Sequence, residues 1–310
     1  SYELVHQVLG DIVELPTLKA LAGEQALNMT MLALNLSDYV NGVAKRHAEV
    51  SEKLFPGFQV HAITNGVHPF TWTCPSFARL FDTYAPGWAH APELLIRADT
   101  MPDDKVLSAH LDAKQRLIDT VKSATNLTLD RELPIIGYAR RMTAYKRPEL
   151  LFSDLERLRR IAGRYPFQIV LAGKAHPQDE AGKGLIKRLH DYARELQGAI
   201  AVAFIPNYNM QSAATIVAGV DVWLNTPLPP LEASGTSGMK AALNGVPQLS
   251  VLDGWWVEGC IEGVTGWTIG EPSQSPESHA NALYDKLEGA VLARFYEARP
   301  GWLRTMKSVI

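Results

Sequence analysis

"LPIIGYARRMTAYKRPELLFSDLERLRRIAGRYPFQIVLAG", residues 133–173, sets two apolar runs on either side of a polar stretch with helical spacing. Neither "LPIIGYA" nor "FQIVLAG" alternates apolar with polar, which is the pattern of strands buried on both faces of a helix-covered parallel sheet. The pattern continues downstream: "IAVAFIP" (200–206), "DVWLN" (221–225) and "PQLSVL" (247–252) read as further strands, and "DEAGKGLIKRLHDYAREL" (179–196) reads as a helix. The expected fold class is α/β, with a Rossmann-like parallel sheet. Upstream, residues 17–55 have helical spacing with a break at Ser37 and Asp38, and "VHAITNG" (60–66) reads as a short strand. A stretch rich in proline and aromatic residues from His68 to Trp88 reads as a connection between lobes. Residues 103–125 spell a long amphipathic helix opened by Pro102 and two acids, and 276–298 spell a closing helix.

Composition narrows the function classes. With 310 residues, 46% hydrophobic and 20% charged, the chain has the make-up of an ordinary globular protein. A net charge of -3 gives no global attraction to nucleic acid or an anionic membrane. Cys74 and Cys260 are far apart and lack metal-type spacing, so neither a disulfide framework nor a zinc site is expected, and no metal is assigned. No apolar run approaches the ~18 residues of a membrane span. The expected setting is cytoplasmic.

In such sheets ligands sit outside the carboxyl ends of the strands. The loop after "IIGYA" holds Arg140, Arg141, Lys146 and Arg147, read either as an oxyanion pocket or as a solvated helix start. After "DVWLN" comes "LEASGTSGMKAALNG" (231–245), crowded with small residues. Gly235, Thr236, Ser237 and Gly238 can present backbone N–H groups to a phosphate, and Lys240 falls in the first turn of the following helix, where the dipole favours a neutral amine. The alternative is a glycine-rich turn entering an ordinary surface helix. "AGKG" (181–184) fails the nucleotide phosphate-loop pattern, and His176 with Asp179 is too small a set for a metal.

"RRMTAYKRPELL", "NYNMQSA", "LEASGTSGMKAALNG" and "DGWWVEG" together resemble the C-terminal lobe of the α-glucan phosphorylases, the glycogen, starch and maltodextrin phosphorylase family, especially its short bacterial branch. "YVNGVAKRHAEV" and "ITNGVHPFTW" resemble the passage where that family's N-terminal lobe hands over to the C-terminal one. The resemblance implies the GT-B architecture. Residues 1–70 would then be the mainly helical tail of an incomplete N-terminal lobe, and 71–310 the Rossmann-like C-terminal lobe with its closing helices. It further implies retaining phosphorolysis of α-1,4-glucan by inorganic phosphate to glucose 1-phosphate, with pyridoxal 5′-phosphate held as an imine on Lys240.

Carried over by residue, Arg141 and Lys146 would hold the substrate phosphate, and Arg140 would support the cofactor phosphate in the cradle of Thr236, Ser237 and Gly238. Tyr208 would pack beside the cofactor. Gly235 would lie against the substrate phosphate, Glu232 and Ser234 would bond glucose hydroxyls, and Asn65 would contact the sugar. The chain is expected to be a C-terminal fragment or truncated homologue carrying the cofactor half of the site. The alternatives are an inactive lobe that binds cofactor, phosphate or glucan, or one that pairs with another copy or with a chain supplying the missing lobe. A sugar-nucleotide glycosyltransferase of the same fold is disfavoured, because Lys240 stands where those enzymes carry a second glutamate.

Overall fold

Each of the five apolar runs becomes a strand of one parallel sheet, because each can be buried on both faces. The computed structural model describes residues 1–271 and 275–310; residues 272–274, within the expected C-terminal lobe, lie outside the described residues. The described chain divides into two compact units, Ser1–Thr64 and Asn65–Ile310.

The first unit is helical, with helices Tyr2–Leu9, Leu15–Ala22, Met29–Leu36 and Lys45–Leu54. The expected helical region is thus cut into pieces, at Gly23 with φ 101° and again beyond the Ser37 cap. A two-residue parallel ladder pairs β1 (Asn41–Gly42) with β2 (His61–Ala62). Beside it Tyr39 stacks on His61, with ring centroids 4.6 Å apart.

In the second unit, β3 (Ile135–Ala139), β4 (Gln168–Ala172), β5 (Ala201–Ile205), β6 (Val222–Asn225), β7 (Gln248–Val251) and β8 (Gly266–Ile269) form a sheet in the order β5-β4-β3-β6-β7-β8. All pairings are parallel. The order reverses between β3 and β6, which makes the crevice at their carboxyl ends the topological switch point. Strand β8 was not expected from the sequence.

Side chains alternate between two cores. Ile136, Tyr138, Ile169, Leu171, Val222 and Leu224 enter one, shared with the helices Leu155–Arg164, Pro276–Lys286 and Arg299–Val309. Ile135, Val170, Ala172, Ala203 and Trp223 enter the other, covered by the Asp103–Thr125 and Met210–Gly219 helices. Those two helices cross closely at Gly219, where a Cβ would lie 2.5 Å from Leu117 Cβ and 2.8 Å from the Ala113 carbonyl oxygen. Within the closing stretch, the helix loosens to a π-helical turn over Leu287–Leu292. Among the described residues no helix is long and apolar enough to cross a membrane.

Candidate active site

At the switch point, the loops leaving β3 and β6 meet through charge. Arg140 follows β3 directly and is buried; its Nη2 donates to Glu232 Oε2 at 2.6 Å, and its Nη1 donates to Asn225 Oδ1 at the end of β6. Lys146 places Nζ 2.7 Å from Glu232 Oε1 and 2.6 Å from Oε2. Glu232 is only 5% exposed, and its own amide donates to Asp253 Oδ2, beyond β7, at 2.9 Å. Burial alone would raise the pKa of this carboxyl, but Arg140 and Lys146 outweigh it and hold the pKa below the usual range. At neutral pH Glu232 is therefore a charged acceptor.

These cations do not start a helix, as one of the two sequence readings had it. Lys146 ends a 3-10 turn, Ala144–Lys146, and the next α-helix begins only at Leu155, where the Asp154 side chain accepts from the Arg157 amide. Pro148 and the left-handed backbone of Arg147 (φ 46°) keep the chain out of α-helix in between, where only a 3-10 turn, Leu150–Phe152, forms. The dipole cost therefore does not arise, and the anion among the cations is the protein's own Glu232.

The turn is fixed from behind. Tyr138 Oη donates to the Lys146 carbonyl at 2.9 Å, Thr226 Oγ1 donates to the same carbonyl at 3.1 Å, and the Leu228 amide donates to the Tyr145 carbonyl at 2.7 Å. Burial pushes the Tyr138 pKa well up, so it stays a neutral donor.

Beyond Glu232 the chain turns at Gly235, whose φ of 83° suits glycine, and a Cβ there would lie 3.4 Å from Glu232 Cδ. Ser234 Oγ is buried and has no hydrogen-bond partner among the described residues. Its carbonyl accepts from the Trp255 amide at 2.8 Å. Ser237 Oγ accepts from Trp223 Nε1 at 3.2 Å. Gly238 has its side-chain face closed by packing: a Cβ would overlap Gln248 Oε1 and lie 3.2 Å from Trp255 Cζ2. Thr236 precedes the short helix Ser237–Ala242 and makes no side-chain cap bond.

Lys240, on that helix, sets Nζ 3.9 Å from the centre of the Trp72 ring. Burial lowers its pKa. Asn244 then ties the helix to its neighbours: Nδ2 donates to the Trp72 and Lys240 carbonyls, each at 2.8 Å, and Oδ1 accepts from the Cys74 amide at 2.8 Å. The Asn-Gly ending thus braces Trp72 as well as closing a helix.

Arg140, Lys146, Glu232 and Gly235 come together. Arg141 is exposed; its carbonyl accepts from the Thr143 amide at 3.1 Å, and its side chain makes no hydrogen bond or ion pair among the described residues. Tyr208 packs nearby, its hydroxyl donating to the Ala139 carbonyl at 3.4 Å. Asn65 is exposed and lies outside the hydrogen-bonded cluster. Sequence reading missed Asn225, Asp253, Tyr138 and Trp72. Asn225 and Asp253 had a usable signal, since each is a polar residue at the carboxyl end of an apolar run.

The geometry is a desolvated, ionised carboxylate between two cations, with an unpartnered hydroxyl two residues on and a desolvated amine beyond. Such a set can hold a polyhydroxy ligand and anions together. The chain is 40% identical to the maltodextrin phosphorylase of Thermococcus litoralis over 93% of its length and 38% of that protein's. It is 39% identical to the glycogen phosphorylase of Aquifex aeolicus over 92% of its length and 46% of that one's, and 35% identical to the glycogen phosphorylase of Mycobacterium tuberculosis over 87% and 35%. The chain therefore spans less than half the length of these curated relatives. The carbohydrate phosphorylase family pattern matches residues 3–265, a span that holds every residue of this cluster, and the chain belongs to that family.

Proposed function

We propose that this chain is the cofactor-bearing half of a retaining α-1,4-glucan phosphorylase that uses inorganic phosphate to release glucose 1-phosphate. The observation that carries the reading is the buried Arg140–Glu232–Lys146 cluster, which adjoins Gly235 and leads within one short helix to Lys240.

The residues present fit pyridoxal phosphate. An amine that must react with an aldehyde has to be neutral, and burial beside Trp72 lowers the Lys240 pKa in that direction. The turn at Gly235 lets backbone approach an anion without a side chain between. Thr236, Ser237, Gly238 and Arg140 would line the phosphate end, with Tyr208 beside the ring. Bound there, the cofactor would supply a second phosphate able to give and take a proton beside the substrate phosphate.

The chain's own residues divide the rest of the work. Arg141, whose exposed side chain has no partner among the described residues, and Lys146 would hold inorganic phosphate and offset its charge. Ionised Glu232 would accept from glucose hydroxyls, and Ser234 Oγ, buried without a partner, would complete the sugar's bonding. Asn65 would reach the sugar from the start of the second unit. Residues 1–70 would be the tail of an N-terminal lobe, and a cytoplasmic setting with another copy or the rest of that lobe as partner completes the reading.

The test starts with cofactor capture. Borohydride reduction after incubation with pyridoxal phosphate should leave an adduct on the wild type and none on Lys240→Ala, read by intact mass. Absence of an adduct on the wild type, even with excess cofactor, would leave an inactive lobe as the better reading. Glucose 1-phosphate release from maltodextrin, with the missing portion supplied, then tests turnover.

A further inference from the structure

Arg147 stands beside Lys146 yet touches neither Glu232 nor any other carboxylate among the described residues. Its Nε donates to the Thr226 carbonyl at 3.0 Å, its Nη2 to the Pro227 carbonyl at 2.6 Å, and its Nη1 to His279 Nδ1 at 3.0 Å. Since the guanidinium can only donate, Nδ1 accepts and His279 Nε2 donates to the Glu271 carbonyl at 2.9 Å. Arg147 is also a non-glycine residue in the left-handed region, with φ 46° and ψ 56°. A half-buried cation served by neutral acceptors on a strained backbone is a costly arrangement, and such outliers gather where geometry has to be held. Thr226 completes the lock, its Oγ1 donating to the Lys146 carbonyl at 3.1 Å and the Arg147 carbonyl at 2.9 Å.

We propose that Arg147 is a positioning residue that clamps the Lys146 turn to the Thr226–Pro227 segment leading to Glu232, and anchors both to the Pro276–Lys286 helix through His279. Neither lysine nor any neutral side chain can replace it, because only the guanidinium fork reaches three acceptors on separate segments. The inference deepens the phosphorylase reading and rests on it only for the ligands that Lys146 and Glu232 would share.

The test is carboxyl carbon NMR on the full chain, titrating Glu232 with Asp221 as an internal control. In folded Arg147→Ala the Glu232 midpoint should rise toward the ordinary carboxylate range while Asp221 stays put, and Arg147→Lys should fall between that variant and the wild type. An unchanged Glu232 midpoint, or equal movement of both carboxyls, would overturn the proposal. If Arg147→Ala does not fold, His279→Ala takes its place, with a smaller rise of Glu232 expected and no rise overturning it. Inorganic phosphate titrated into the same samples should bind Arg147→Ala about tenfold more weakly than wild type, ~1.4 kcal/mol. Failure of the wild type to bind phosphate would count against the functional reading alone, since the carboxyl shifts do not depend on it.

Discussion

The sheet carries a buried, hydrogen-bonded carboxylate at each end, and the two clusters are built for different ends. At the amino end, Asp221 Oδ2 lies 2.8 Å from Lys114 Nζ and accepts from the Ile135 amide at 2.8 Å, while Oδ1 lies 3.0 Å from His110 Nε2. Lys114 also donates to the Leu133 carbonyl at 2.7 Å, and the cluster pins the Asp103–Thr125 helix to β3 and β6. At the carboxyl end, the Glu232 cluster is built from loop side chains and adjoins the unpartnered Ser234 hydroxyl and the exposed Arg141. Burial and charge are common to both, so neither marks a site. Position at the carboxyl ends of the strands does, since each cluster keeps a buried atom without a partner among the described residues, His110 Nδ1 at the amino end and Ser234 Oγ at the carboxyl end.

That contrast can be broken by mutation. Asp221→Ala strands Lys114 and His110 in the interior and should cost about 3–5 kcal/mol in chemical denaturation; a loss under 1 kcal/mol would mean the amino-end cluster is no staple. Glu232→Ala leaves Arg140 and Lys146 without their anion and should cost about 1–3 kcal/mol, with much of the loss recovered in inorganic phosphate. Asp221→Ala should show no such recovery, and equal rescue of both variants would erase the distinction. Gly238→Ala pushes a methyl onto Gln248 beside Trp255 and should cost about 1–2 kcal/mol, the lower part of what overpacking costs. A neutral effect would show that Gly238 faces open space instead.

The smallest expected effect is on pH. Both carboxyls have folded pKa values held below their unfolded values, so the stability they add is present above about pH 4 and is lost as pH falls through the folded values. Acid unfolding of Glu232→Gln should accordingly be less steep than that of the wild type. An identical profile would sink the assignment of part of that slope to Glu232.

Much of this was legible in the sequence because the strands are apolar without interruption. "IIGYA", "QIVLA" and "VWLN" leave no polar face to misplace. Strand β8, "GWTI", was not legible: it has four residues, opens with a glycine and carries a threonine, and only pairing with β7 makes it a strand. The cationic loop was placed correctly at a strand end, but one reading gave it a helix that starts eight residues after Arg147, at Leu155. The local pattern "ELLF" is apolar enough for helix, and Asp154 decides where helix begins. Roles such as those of Asn225 and Arg147 were illegible because their partners lie 79 to 132 positions away.

The stacking of Lys240 on Trp72 has an optical consequence. An amine 3.9 Å from an indole face perturbs that indole's excited state according to whether the nitrogen is charged, neutral or covalently occupied. Trp72 is therefore a built-in reporter of the lysine, and the difference in emission between the wild type and Trp72→Phe follows the chemistry of one side chain in real time.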